Sequence, residues 1–77
     1  MPPGWFVPVK GSPAKERKQE VVEAAEKHDG KLHSFWQAHG DDDYSTLIEG
    51  VPDNKIQALL ADPKLKAKSG HHKVEIH

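Results

Sequence analysis

The sequence predicts an α+β fold of order β-α-β-β-α-β, an antiparallel four-stranded sheet with two helices on one face. Three observations predict it. Residues 31–49 alternate in character on both sides of Gly40-Asp41-Asp42-Asp43, the pattern of a β-hairpin. Ala14, Val21, Val22 and Ala25 recur at helical spacing before that hairpin. Short runs rich in aromatic and β-branched residues stand near both ends of the chain.

Trp5-Phe6-Val7-Pro8-Val9 forms the first strand, kept short or irregular by Pro8, which has no N–H to give a ladder. Gly11-Ser12-Pro13 ends it. Ser12 is a good N-cap and Pro13 suits the first helical position, so a helix runs from Ala14 to about Lys27. Lys15, Glu16, Lys18, Glu23 and Glu26 form its solvated face. His28-Asp29-Gly30 ends the helix, with Gly30 predicted as the left-handed cap.

The hairpin strands cover residues 31–39 and 44–49. Pairing His39 with Tyr44 sets Phe35 opposite Ile48 and Trp36 opposite Leu47. One face then holds Leu32, Trp36, Leu47 and Val51, predicted to lie under the helices. The other holds His33, Phe35, Gln37, His39, Tyr44, Thr46 and Ile48. Pro52-Asp53-Asn54 opens a short second helix with Ile56, Leu59 and Leu60 as its buried stripe, stopped by Asp62-Pro63. A lysine-rich connector leads to a last strand, Lys73-Val74-Glu75-Ile76-His77. That strand ends abruptly, consistent with a native chain that continues past His77.

This is the ferredoxin-like, split βαβ pattern with strand order 4-1-3-2 and right-handed crossovers. Both helices fall on one sheet face. The other is bare, and the predicted register gives it Phe35, Tyr44 and Ile48. Burial against a second copy is the expected fate of such a face.

Composition agrees. Residues 1–77 make a single domain, only 35% hydrophobic and without cysteine, so neither disulfides nor a cysteine zinc site can support a thin core. Oligomerisation is the remaining common support. Eleven basic residues face twelve acidic ones, and Arg17 is the single arginine, which argues against nucleic acid as a partner. No run approaches the roughly 20 apolar residues of a membrane span, and Met1 to Gly11 has no signal-peptide pattern, so a soluble, cytoplasmic protein is expected.

Gly30, Leu32, Ser34-Phe35-Trp36, Ala38, Gly40-Asp41-Asp42-Asp43 and Val51-Pro52-Asp53-Asn54 together resemble the GYD-domain family, small proteins of the dimeric α/β-barrel group. With the preceding strand and helix, the similarity covers about the first three quarters of the chain. The chain departs from the family at Gly40-Asp41-Asp42-Asp43, which replaces the Gly-Tyr-Asp element and displaces Tyr44. Its second helix is also cut short by Pro63. The resemblance implies a dimeric α/β-barrel type of ferredoxin-like fold and a homodimer or higher oligomer; it brings no agreed activity.

Six histidines are the obvious candidates for chemistry. His33 and His39 point the same way but lie about 20 Å apart along a strand, too far to share a metal. No H-x-H or H-x-x-x-H spacing occurs, so no metal and no cofactor are expected. Asp41-Asp42-Asp43 lacks the glycine and glutamate spacing of a calcium loop and reads as a solubilising turn. There is no phosphate-binding glycine loop and no nucleophile elbow.

The reading is therefore a small homo-oligomeric module. Its inter-sheet face would take an apolar or aromatic small molecule on His33, Phe35, Gln37, His39, Tyr44 and Thr46. Two alternatives stand beside it. One, by analogy with the dimeric α/β-barrel group, is a cofactor-free isomerase or monooxygenase with His33 or His39 as base and Tyr44 as oxyanion donor. The other is a structural oligomerisation domain without a ligand.

Overall fold

A computed structural model describes residues 2–11, 14–37 and 42–77. The chain runs β1 (Pro3–Val9), α1 (Ala14–Lys27), β2 (Lys31–Gln37), β3 (Tyr44–Glu49), a 3₁₀ turn (Asp53–Lys55) leading into α2 (Ile56–Leu60), and β4 (His72–Glu75). The sheet is antiparallel in the order β2-β3-β1-β4, the predicted order read from the other edge. The fold is thus the expected α+β, ferredoxin-like arrangement. Among the described residues no helix is long and apolar enough to cross a membrane.

The central strand β1 decides which face of the sheet is inside. Its β-branched residues alternate, so Val7 and Val9 point together toward the helices and are fully buried. Trp5 packs on the same side. Register carries the choice to β3, where Ile48, Thr46 and Tyr44 pair with Trp5, Val7 and Val9. Val21, Ala24 and Ala25 of α1, Ile56 and Leu59 of α2, and the connector residue Leu65 close this core.

The β2–β3 pairing departs from the sequence reading in two ways. Gln37, not His39, faces Tyr44, so the hairpin slips by two residues and Phe35 meets Thr46. An even slip keeps every residue's face. The inside and outside assignments are nevertheless exchanged. Phe35, Thr46 and Ile48 lie under the helices, while Trp36 and Leu47 lie on the far side. Leu32 and Val51 go inside as foreseen, Leu32 because a bulge at His33 lets it share a face with Phe35. His39 lies outside the described residues.

Helix α1 ends in a Schellman turn. The Gly30 N–H donates to Ala25 O at 2.8 Å and the Asp29 N–H to Glu26 O at 3.2 Å. The left-handed residue is Asp29, with φ 66°, and not Gly30. Gly30 is needed for a different reason: a Cβ there would run into Val51.

The solvated face of α1 is as predicted for Lys15, Glu16, Lys18, Glu23 and Glu26, all exposed. Arg17 is the exception, fully buried on the stripe of Val21, Ala24 and Ala25. Its Nε–H donates to Lys10 O at 2.5 Å. One terminal nitrogen donates to Lys64 O and to Glu20 Oε1, each at 2.8 Å. The other donates to Leu65 O at 2.5 Å. A guanidinium suits this place because its planar fork can serve several carbonyls while staying charged.

Removing that fork strands buried carbonyls and leaves a cavity. Arg17→Ala is expected to lower the unfolding free energy by about 3 kcal/mol or more, and Arg17→Lys to recover less than half of the loss. Urea denaturation followed by far-UV circular dichroism measures both; a loss under about 1 kcal/mol for Arg17→Ala would refute the clamp.

Candidate functional site

With both helices on one side, the other sheet face is left uncovered, and it carries a line of rings. Phe6 of β1 sits at its centre. Its cross-strand partner on β4 is His72, and the two rings stack with centroids 4.9 Å apart and planes at 28°. On the other side Trp36 reaches over from β2, its indole centroid 6.1 Å from Phe6 and tilted by 53°. The reach is possible because Ser45 of β3, opposite both Trp36 and Pro8, is small. Trp36 remains 40% exposed, the one large hydrophobic so open among the described residues. Leu47 and Val74 fill in around Phe6 and are half-buried.

Charges stand at the ends of this patch. Lys31 faces Glu49 across the β2–β3 ladder. Toward the other end, Lys68 bonds to Asp43 at 2.5 Å, and the Lys68 N–H donates to Pro8 O at 2.7 Å. Lys68 and the Gly11 N–H hold the Asp43 carboxyl below the usual range. A shallow, solvent-open groove of about 420 Å³ adjoins the Lys31–Glu49 end, with Pro2, Pro3, Asp29, Gly30 and Gly50 as its other walls.

The residues predicted from sequence as a ligand site lie mostly elsewhere. Phe35 and Tyr44 stack on each other at 4.6 Å and pack against the core. Thr46 is fully buried, and its hydroxyl donates to Val7 O at 2.9 Å. Gln37 is exposed at the end of β2 opposite Tyr44. His33 is exposed in the bulge and hydrogen-bonded to Ser34 Oγ at 2.6 Å. Tyr44 pairs with a residue four places along β2 from His33, a separation of about 13 Å, so the structure does not bring this base and this donor together. His71 and His72 point to opposite sides, His71 toward Trp5 at 6.0 Å. Among the described residues no three His, Asp or Glu side chains gather as a metal site.

A second titratable cluster joins the end of α1 to the turn after α2. Asp62 is buried and accepts from His28 Nε2 at 2.9 Å and from the Lys64 N–H at 2.8 Å, with Lys27 Nζ at 4.0 Å. Burial pushes the Asp62 carboxyl up, but His28, the Lys64 N–H and Lys27 together outweigh it and hold the carboxyl below its usual range. A cleft of about 200 Å³ beside it is walled by Glu23, Lys27 and Lys64. Among the described residues no hydroxyl or thiol lines this cleft, and the dyad reads as a staple.

The sequence carried a signal for the ring line. Phe6 and Pro8 alternate with Val7 and Val9, and the branched pair marks the inner side of a strand. Compared with models of known protein families, with curated proteins and with solved structures, the chain shows no match.

The staple has a pH signature. Folding favours the charged form of Asp62, so its contribution is complete above about pH 4 and is lost as pH falls through the lowered folded value. Asp62→Asn is expected to reduce stability at neutral pH by about 1–2 kcal/mol and to flatten the acid limb of the stability curve. Thermal melts at stepped pH measure this; an unchanged acid limb in the variant would show that Asp62 is not part of it.

Proposed function

We propose that the protein is a homo-oligomeric module whose copies associate through the uncovered sheet face. One observation carries the reading: Trp36, Phe6, His72, Leu47 and Val74 form an apolar and aromatic patch on the sheet face away from the helices, and no element of the described residues covers it. Four strands about 4.8 Å apart and five residues of about 3.3 Å give that face a plan area near 300 Å². That is the size of the largest apolar patches on soluble monomers, which commonly mark interaction sites. Two such faces amount to about 600 Å² in plan, below the roughly 1,200 Å² of standard specific interfaces, so the association is a weak one that should dissociate on dilution.

The sheet edges support association by the face. A bulge at His33 disrupts the β2 edge, and the β4 edge is four residues long with an exposed lysine, Lys73. Both devices discourage edge-to-edge pairing. The resemblance of residues 30–54 to GYD domains supports the same reading, since that group is dimeric. A second reading rests on the ring line itself: an exposed indole beside two stacked rings is a surface on which a planar aromatic molecule can lie.

Light scattering on a sizing column over a dilution series tests the proposal. The expected result is a dimer, or a multiple of it, that dissociates at low concentration. Trp36→Glu and Phe6→Glu should be monomeric throughout with unchanged far-UV circular dichroism. A wild-type monomer at every concentration rejects the assembly. Quenching of Trp36 fluorescence by planar aromatic compounds, in a Trp5→Phe background, would then favour the second reading.

A further inference from the structure

We infer that assembly through the uncovered face is controlled by proton uptake at His72, an inference that rests on the association proposed above. His72 is the titratable ring of the line, at the β4 edge of the patch and stacked at 4.9 Å on Phe6 at its centre. Its Nδ1 lies 3.2 Å from Gly70 O, a carbonyl that can only accept, so Nδ1 carries the hydrogen and donates. The lone pair of the neutral ring is then on Nε2, and that nitrogen takes the proton.

The surroundings decide what the proton does. From β1 the ring meets Phe6, and the neighbouring outward positions Gly4 and Pro8 carry no charge. On β4 itself the outward neighbour is Val74, while Lys73 is tied to Asp53 at 3.0 Å on the helix side. Among the described residues the charged groups on the patch are those at its ends, the Lys31–Glu49 pair and the Asp43–Lys68 pair with Lys10 beside it. No carboxylate bonds to the His72 ring among the described contacts, so a protonated Nε2 relies on water.

In the separated chain water is present, and a cation over the Phe6 ring is acceptable. Between two packed sheets the water is displaced, and a charged imidazole there carries a desolvation cost with no carboxylate to offset it. The separated chain therefore binds the proton more tightly than the assembly. By linkage, association is strongest when His72 is neutral and weakens as pH falls and the ring takes up its proton. A dimer brings two such rings together, so the limiting dependence is about 100-fold in Kd per pH unit.

The test is the dimer Kd from sedimentation equilibrium at about pH 8 and about pH 5.5, for the wild-type chain and for His72→Phe, which keeps a ring on Phe6 without the titration. Wild-type Kd should rise at least about tenfold at the lower pH, and the variant should hold one Kd at both. As a readout that needs no variant, the NMR titration midpoint of the His72 ring should move to lower pH as the wild-type protein is concentrated. A wild-type dimer with one Kd at both pH values, or the same rise in His72→Phe, overturns the control and leaves the assembly standing. A wild-type monomer at both overturns the assembly and the control together.

Discussion

The buried guanidinium of Arg17 is the interaction on which the rest of the structure depends. Between α2 and β4 the chain must cross from the helix layer back to the sheet, beside β1, without regular structure for most of the way. Its carbonyls need donors, because buried backbone acceptors left alone are costly. Arg17 supplies them at Lys64 and Leu65 while also holding Lys10 at the end of β1. One side chain thus ties α1, β1 and the connector together. Leu65 is thereby held fully buried, Ala67 bridges to Val9, and the chain is delivered to the edge of β1 where β4 forms. The desolvation cost of the charge is offset by charge-assisted bonds and by Glu20, whose carboxyl the guanidinium holds below its usual range.

Right-handed crossovers put both helices on the same side of the sheet, where the clamp ties α1 to the connector, and the uncovered face follows. A chain of 77 residues with 35% apolar content has material for one core, not two. The core is spent on the valine side of β1. What remains opposite is aromatic and sparse: Phe6 on the central strand, Trp36 and His72 on the two edge strands. A line of rings running across the strands spans the width of the sheet without needing a bulky residue at every position. Ser45 is as much a part of it as the rings, because a larger residue there would separate Trp36 from Phe6.

Much of this architecture was legible in the residues. Element order, the extent of α1 and of β3, and the strand order all follow from periodicity and turn chemistry. Period-two alternation sorts a strand into two sets, but it does not say which set is inside. That sign was set by β1, where the branched pair Val7 and Val9 outweighs the larger but unbranched Phe6. The hairpin register slipped by an even number, so Trp36 stayed with Leu47 and Phe35 with Ile48, and only their sides were exchanged. Leu32 escaped the exchange through the bulge at His33, and nothing in the local sequence announces an extra residue there. Arg17 stood in view, four residues before Val21 on the apolar stripe, but charge on a helix is so often solvated that its position did not speak for itself.

The candidate site was less legible because it was read on the wrong side of the sheet. Phe35, Tyr44 and Thr46 looked like a mixed ligand surface, and their mixture has another cause. Thr46 can be buried because its hydroxyl finds the Val7 carbonyl, and Tyr44 lies flat on Phe35 at the margin of the core. Polar atoms inside a small sheet protein are thus no sign of a pocket when each has its partner. The opposite face carries the better sign. There the rings contact one another with no described residue packed above them, and Trp36 remains open in a chain that has little apolar surface to spare. In a domain whose core is this thin, an indole kept out of it is best explained by a contact that the single chain does not make.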